Sequence, residues 1–171
     1  MKEYKGILMK KKKRISGLLS VVIAMVVVLS TSITVLAASS SMYKTSSKMT
    51  VYLAENTSGS SNTVTFNFND YSIPSNATVT KVVISTPLSK HSGVNAIVID
   101  SYYLTSPYDG GWTIPVLSGN SATTYLPAGA TVKGTWSLYL NATCYDSGIY
   151  PFTTYSSSEY YPPKLTIYYN Y

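Results

Sequence analysis

The 171-residue chain has few charged side chains and almost no residues of the kinds that bind transition metals. Only 12% of its residues are charged, and it contains one cysteine, Cys144, and one histidine, His91. A single cysteine cannot form an intrachain disulfide, and one residue of each type cannot supply the ligands of a zinc site. We expect Cys144 to be a small, buried, apolar side chain. The composition therefore excludes a disulfide-stabilised scaffold and a zinc centre.

Basic charge is scarce outside the N-terminus. Seven of the 13 Lys and Arg residues and one of the seven acidic residues lie within the first 14 positions, so the rest of the chain carries six of each. A body without net charge lacks the extended basic surface by which nucleic acids are bound. No nucleic-acid partner is expected.

The first 37 residues have the organisation of a secretory signal peptide. A basic segment ends at Arg14, an apolar stretch covers residues 18–29, and small residues at 35–38 offer a cleavage site after Ala37 or one residue later. The long lysine-rich start resembles the export signals of Gram-positive bacteria. This resemblance implies a secreted, extracellular protein.

An uncleaved membrane anchor is the alternative for the same segment. Residues 17–38 are long enough to cross a bilayer, which requires roughly 20 apolar residues. The Ser-Thr-Ser interruption at 30–32 and the small residues that follow favour cleavage. We therefore expect no stable membrane anchor after processing.

Alternation of apolar and polar residues dominates the remainder of the chain, and no segment shows the 3.6-residue period of an amphipathic helix. Turn-forming residues separate the alternating segments. Six to eight strands with one buried face each predict an all-β, antiparallel two-sheet β-sandwich, jelly-roll-like, over residues 48–171. The predicted strands lie at residues 49–54, 62–69, 79–86, 94–104, 131–144 and 164–170.

Two segments are expected to lie outside regular strands. Residues 38–47 are rich in serine and predict a mobile leader, and residues 145–163 predict a long loop with at most one irregular strand. The apolar positions of the alternating segments predict the core. Its expected members are Phe66, Phe68, Val83, Ile99, Trp136, Leu138, Leu140 and Ile167.

Three segments together resemble the P-domain of proprotein convertases. They are SIPSNATVTKVVI at residues 72–84, the run from His91 through Ile99-Asp100 to Ser106-Pro107, and KGTWSLYL at residues 133–140. The resemblance implies a galactose-binding-like jelly roll, as found in extracellular modules. In that family the module accompanies a protease domain, and this chain has no protease motif, so that role is not expected here.

Few residues could support catalysis. His91 is the only candidate base, and no Gly-x-Ser-x-Gly turn is present to hold a nucleophile. Most acidic residues outside the signal peptide stand in turn contexts such as Asp-Gly. A pair of them across a cleft could hydrolyse a glycoside, which leaves a small secreted hydrolase as the least favoured alternative. We expect no enzyme and no cofactor, with Ca²⁺ at Asp109 or Asp146 as an open alternative.

Aromatic side chains carry the functional hypothesis. Tyr102, Tyr103, Tyr108 and Trp112 surround the Asp109-Gly110-Gly111 turn, and a second aromatic group precedes the last strand. Tyrosine combines an apolar ring with a polar hydroxyl and suits contact surfaces. We expect these four residues to bind cell-surface or environmental carbohydrate. The alternative, which leads for any single tyrosine, is that tyrosines of a charge-poor sandwich serve packing and solubility at strand edges and sheet faces. The alternative function is structural self-association through sheet edges at the cell surface or matrix.

Overall fold

The alternating segments form 12 antiparallel strands within the part of the chain that the computed structural model describes, namely residues 37–108, 110–125, 129–149 and 152–171. The predicted signal peptide lies outside these ranges except for Ala37. The strands are β1 (Ser39–Thr45), β2 (Met49–Ala54), β3 (Ser58–Ser60), β4 (Val64–Asn67), β5 (Thr78–Ser85), β6 (Leu88–Ser92), β7 (Ala96–Thr105), β8 (Gly111–Pro115), β9 (Ser121–Thr124), β10 (Thr135–Tyr145), β11 (Tyr155–Tyr160) and β12 (Lys164–Asn170).

One layer of the sandwich, here called sheet I, consists of two ladders joined end to end. One ladder has the strand order β1-β12-β5-β9 and the other has the order β2-β11-β6. Strands β1, β12 and β5 of the first ladder are adjacent in the chain to β2, β11 and β6 of the second. Pairing stops at Lys164 and resumes at Tyr160 because Pro162 and Pro163 have no N–H to donate. The Tyr161 N–H donates to the Pro87 carbonyl across this gap at 2.9 Å. Sheet I is therefore one long sheet in which strand pairing is interrupted between Tyr160 and Lys164; we call this interruption the break of sheet I.

The second layer, sheet II, is built around the 11-residue strand β10. Strand β7 pairs along one edge of β10, whereas β3 and β4 share the other edge, and β8 pairs with β7. Side chains from both sheets fill one apolar core. The prediction of an all-β antiparallel sandwich is confirmed.

Seven of the eight predicted core residues are buried, and Val83 is the exception. The ladder between β5 and β12 shifts register between Tyr168 and Tyr169, opposite Lys81 and Val79. This β-bulge lets both Val79 and Val82 point inward, so strict alternation fails and Val83 is turned to the outer face. The prediction that Val83 belongs to the core is wrong for this reason.

Two segments expected to be irregular form strands instead. The serine-rich leader predicted at 38–47 contains β1, which pairs along its whole length with β12. The loop predicted at 145–163 contains β11, the central strand of the second ladder of sheet I. Both strands are rich in serine, and backbone hydrogen bonds stabilise them without an apolar pattern. In β11 the inward-facing Ser156 is buried, and its hydroxyl accepts the Asn95 N–H at 3.0 Å.

Tyr102 joins the two sheets through the core. A second β-bulge, where Asn141 pairs with Ser101 and Ala142 with Ile99, lets both Ile99 and Tyr102 point inward. The Tyr102 ring is fully buried, and its hydroxyl hydrogen-bonds Thr86 Oγ1 at the break of sheet I. This contact anchors the break to the opposite sheet.

Removal of this hydroxyl in Tyr102→Phe should lower the free energy of unfolding by about 1–2 kcal/mol at neutral pH, because a buried hydrogen bond is lost. Burial raises the pKa of Tyr102 to about 12, whereas the pKa of an unfolded tyrosine is about 10. The unfolded chain therefore releases the proton first, and stability falls as pH rises from about 10 to 12. Tyr102→Phe should reduce that alkaline loss.

Guanidinium denaturation of both proteins between pH 7 and pH 12 measures this effect. Burial also raises the pKa of Tyr160, so part of the alkaline loss should remain in the variant. Tyr71→Phe serves as the control because the Tyr71 side chain is fully exposed. An alkaline loss of the same size in Tyr102→Phe and in the parent protein would contradict the assignment.

Candidate functional site

The structure does not bring the four sequence-predicted site residues together. Tyr102 is buried in the core and has no surface to offer a ligand. Tyr103 points to the outer face of sheet II, whereas Trp112 lies on the inner side and stacks on Trp136 at a centroid distance of 6.3 Å. Tyr108 is exposed in the β7–β8 connection. Tyr108 is therefore the only one of the four that is fully exposed, whereas Tyr103 and Trp112 are partly buried on opposite faces of sheet II.

The outer face of sheet II satisfies its polar groups internally. The Thr143 hydroxyl donates to Asp100 at 2.8 Å and shares a hydrogen bond with the Ser58 hydroxyl. On the same face, Asn141 Oδ1 accepts a hydrogen bond from the Ser60 hydroxyl, and Asn141 Nδ2 donates one to the Ser101 hydroxyl. These side-chain hydrogen bonds across the strands leave fewer free donors and acceptors for a ligand.

The tyrosines on this face of sheet II also contact one another. Tyr103 stacks on Tyr139 with ring centroids 5.1 Å apart, and its ring occupies the space that a side chain at Gly111 would need. Tyr103 is thus partly buried between a neighbouring ring and the strand beside it. Its packing role is defined by these contacts.

The outer face of sheet I presents more open aromatic surface. Tyr52 on β2 and Tyr155 on β11 stack with centroids 5.4 Å apart and planes inclined by only 6°. Tyr52 is 67% exposed and Tyr155 is 56% exposed, although both belong to regular strands. Such exposure of two aligned rings is not needed for packing of the core. We call them the Tyr52–Tyr155 pair.

The other end of the same face combines tyrosines with lysines. The Lys164 ammonium lies 4.0 Å from the centroid of the Tyr43 ring, and the Lys81 ammonium lies 4.1 Å from that of Tyr168. The attraction between a cation and the face of an aromatic ring holds each lysine over its tyrosine. The β-bulge described above places both Thr80 and Lys81 on this outer face, where Thr80 Oγ1 donates to the Tyr168 carbonyl at 3.1 Å.

A shallow groove of about 430 Å³ adjoins the second of these pairs. Tyr125, which is 77% exposed, forms part of its wall. The groove is open to solvent and carries hydroxyl groups together with one ammonium group. Its lining residues are Ser39, Ser40, Ser41, Thr80, Lys81, Tyr125, Tyr168 and Tyr169.

Between the two aromatic ends, sheet I carries two lysines that flank one glutamate. Lys48 forms a salt bridge with Glu159, and the hydrogen bond to this carboxylate raises the pKa of Lys48. Lys90 is the cross-strand neighbour of Glu159 on the opposite side. The middle of the face therefore carries one salt bridge and a neighbouring lysine, and its outer ends carry the aromatic rings.

His91 does not form a catalytic triad in the part of the chain that the structure describes. Its Nδ1 lies 2.9 Å from the Ser158 hydroxyl, on the edge strand β6 rather than in a turn. No carboxylate of the described ranges hydrogen-bonds the His91 ring. Likewise, the described residues include no group of three His, Cys, Asp or Glu side chains that could hold a metal ion.

The sequence pattern predicts only some of the residues that lie on the outer face of sheet I. Alternation assigned Tyr168 to the side opposite Leu165 and Ile167, and Tyr155 belonged to the aromatic group noted before the last strand. Tyr52 occupies the polar phase of the predicted strand at 49–54, between Val51 and Leu53. A search for tyrosines at outward positions of predicted strands would have found Tyr52, but not its partner across the ladder.

No family model matches the chain, and no curated protein matches it. Among solved structures, the crystal structure of FlhE is 16% identical, with a TM-score of 0.46, and the match covers 79% of this chain and 100% of that one. The crystal structure of a "putative secreted protein" from Eubacterium rectale is also 16% identical, with a TM-score of 0.47, over 78% of this chain and 40% of that one. No helix in the described ranges is long and apolar enough to cross a membrane.

Proposed function

We propose that the protein is a secreted, non-catalytic module that binds cell-surface or environmental carbohydrate through the outer face of sheet I. The Tyr52–Tyr155 pair carries this proposal. Two parallel rings that are both more than half exposed form an apolar platform on the outer face of this sheet. A tyrosine platform presents apolar faces to the C–H groups of a sugar and hydroxyls to its oxygens.

The shape of the face favours an extended ligand over a small molecule. Small-molecule sites enclose most of the ligand surface, whereas the aromatic residues here lie along an open sheet. From Tyr155 on β11 to Tyr168 on β12 the chain advances 13 residues, which corresponds to at most about 43 Å. A polysaccharide chain can contact both ends of such a face at once, and two weak contacts on one chain reinforce each other.

Alanine substitution of either stacked ring should weaken polysaccharide binding by at least about tenfold, equivalent to about 1.4 kcal/mol. Tyr52→Ala and Tyr155→Ala each remove one ring and leave the other without its stacking neighbour. Retention of the purified protein on insoluble cell-wall polysaccharide, with dissociation constants from depletion isotherms, measures the effect. Circular dichroism confirms that the variants remain folded.

Two control variants locate the site. Tyr71→Ala removes a fully exposed tyrosine in the β4–β5 connection and should leave binding within about twofold. Tyr108→Ala tests the β7–β8 connection, around which the sequence predicted the binding residues. A loss of binding in Tyr108→Ala with none in Tyr52→Ala would move the site to that loop, and no retention of the parent protein would refute carbohydrate binding.

Self-association is the second candidate, because sheet I ends in the edge strands β1 and β2 on one side and β9 and β6 on the other. An edge strand can pair with a strand of another molecule. Sedimentation velocity over a wide concentration range distinguishes the two functions. Multimers that form with protein alone support self-assembly, whereas a monomer whose sedimentation changes only when soluble glycan is added supports the binding module.

A further inference from the structure

The lysines of the sandwich are not paired equally with carboxylates. Lys44 lies 3.7 Å from Asp70, Lys48 bridges to Glu159, and Lys90 neighbours Glu159 across the ladder. Lys81, Lys90, Lys133 and Lys164 form no salt bridge within the described part of the chain, and of these four Lys81 and Lys164 contact tyrosine rings instead. The sandwich has no net charge, yet these two positive charges are left uncompensated on one face.

Among the described residues, no acidic side chain lies at an outward strand position on their half of sheet I. The outward positions of β1, β12, β5 and β9, read from the ladder registers, carry Ser, Thr, Tyr, Asn, Val and Lys side chains only. An anionic ligand on this half of sheet I therefore meets two ammonium groups and no like-charged side chain. A cationic or strictly neutral ligand would leave both charges without a partner.

We propose that the carbohydrate bound by sheet I is an anionic polysaccharide, whose phosphate or carboxylate groups pair with Lys81 and Lys164 while its sugar or polyol units contact the neighbouring tyrosines. This inference rests on the proposed function and specifies its ligand. The groove of about 430 Å³ supplies Ser39, Ser41 and Tyr125 hydroxyls next to Lys81, which suit the hydroxyls that accompany each anionic group.

The spacing of the two lysines fits a polymer with repeated charge. Lys81 pairs in register with Tyr168, which lies four residues beyond Lys164 on the neighbouring strand. The two cationic positions are therefore about 13 Å apart along the strand direction. Each ammonium lies over a ring and keeps N–H donors free for an anionic oxygen. Two contacts at this separation require an extended chain rather than a single anion.

Binding of three polymers tests the proposal: polyglycerol phosphate, polygalacturonate and a neutral β-glucan. We expect the parent protein to bind at least one anionic polymer more than tenfold more tightly than the β-glucan, with affinity falling as salt is raised from 0.05 to about 0.5 M. The double variant Lys81→Gln/Lys164→Gln should lose at least tenfold in affinity for that polymer. Lys81→Arg/Lys164→Arg should retain most of it.

Lys90→Gln is the control for position, because it removes one positive charge from an exposed strand position on the other half of sheet I and is compared with the single variants Lys81→Gln and Lys164→Gln. Binding to one anionic polymer alone supports the proposal and tells phosphate from carboxylate. Equal binding of the neutral β-glucan, unaffected by Lys81→Gln/Lys164→Gln but lost in Tyr52→Ala, would overturn anionic selectivity and leave the proposed function intact. Failure to bind any of the polymers would overturn both.

Discussion

Substitution of Trp136 by alanine is expected to lower the free energy of unfolding by about 3–5 kcal/mol. Trp136 is fully buried on the central strand β10 and is the largest buried side chain of the core. Its indole N–H donates to the Val132 carbonyl at 2.9 Å. The variant loses the apolar contacts of the ring and leaves a cavity, and the Val132 carbonyl loses its indole donor. A loss of this size is a large share of the total stability of a small domain.

Trp112→Ala is the matched control for this experiment. Trp112 stacks on Trp136 but lies on the edge strand β8 and is only partly buried. Its removal should cost less than half as much as that of Trp136. Guanidinium denaturation followed by far-ultraviolet circular dichroism compares the three proteins without relying on tryptophan fluorescence. A loss of stability below about 1 kcal/mol in Trp136→Ala would show that the assignment of Trp136 to the core-facing side of β10 is wrong.

Gly93→Ala should destabilise the protein by more than about 3 kcal/mol. Gly93, between β6 and β7, has a φ of +108°, where a Cβ atom is strained. A Cβ there would also overlap Ser156 Oγ and lie 2.7 Å from both the Tyr155 carbonyl oxygen and Ser156 Cα. Because two of these are backbone atoms of the central strand β11, they cannot move aside without disturbing the ladder.

Gly129→Ala separates the two causes of this effect. Gly129 has nearly the same φ, +107°, but a Cβ there would meet no atom within 4 Å. It should therefore cost only the backbone strain, of order 1–3 kcal/mol. Thermal denaturation of both variants gives the comparison. Equal losses in Gly93→Ala and Gly129→Ala would mean that the connection after β6 moves away from β11 at little cost.

The accessible tyrosines show how far local pattern could predict the candidate site. Tyr168 was correctly assigned to the outer phase of its strand, since Leu165 and Ile167 set the inner phase. Tyr102 and Tyr103 could not be assigned in this way, because the bulge between Ile99 and Tyr102 reverses the phase within β7. The Tyr52–Tyr155 pair requires the pairing of strands about 100 residues apart in the chain, which no local pattern contains.

The fold class and most of the core followed from the sequence alone, because a period of two between apolar and polar residues determines which side of a strand is buried. Serine-rich strands such as β1 and β11 have no such period, and only pairing with β12, β2 and β6 makes them strands. Register, bulges and the break in sheet I were likewise decided by the tertiary structure. They depend on backbone hydrogen bonds between distant segments, and these bonds determine which tyrosines and lysines share one face.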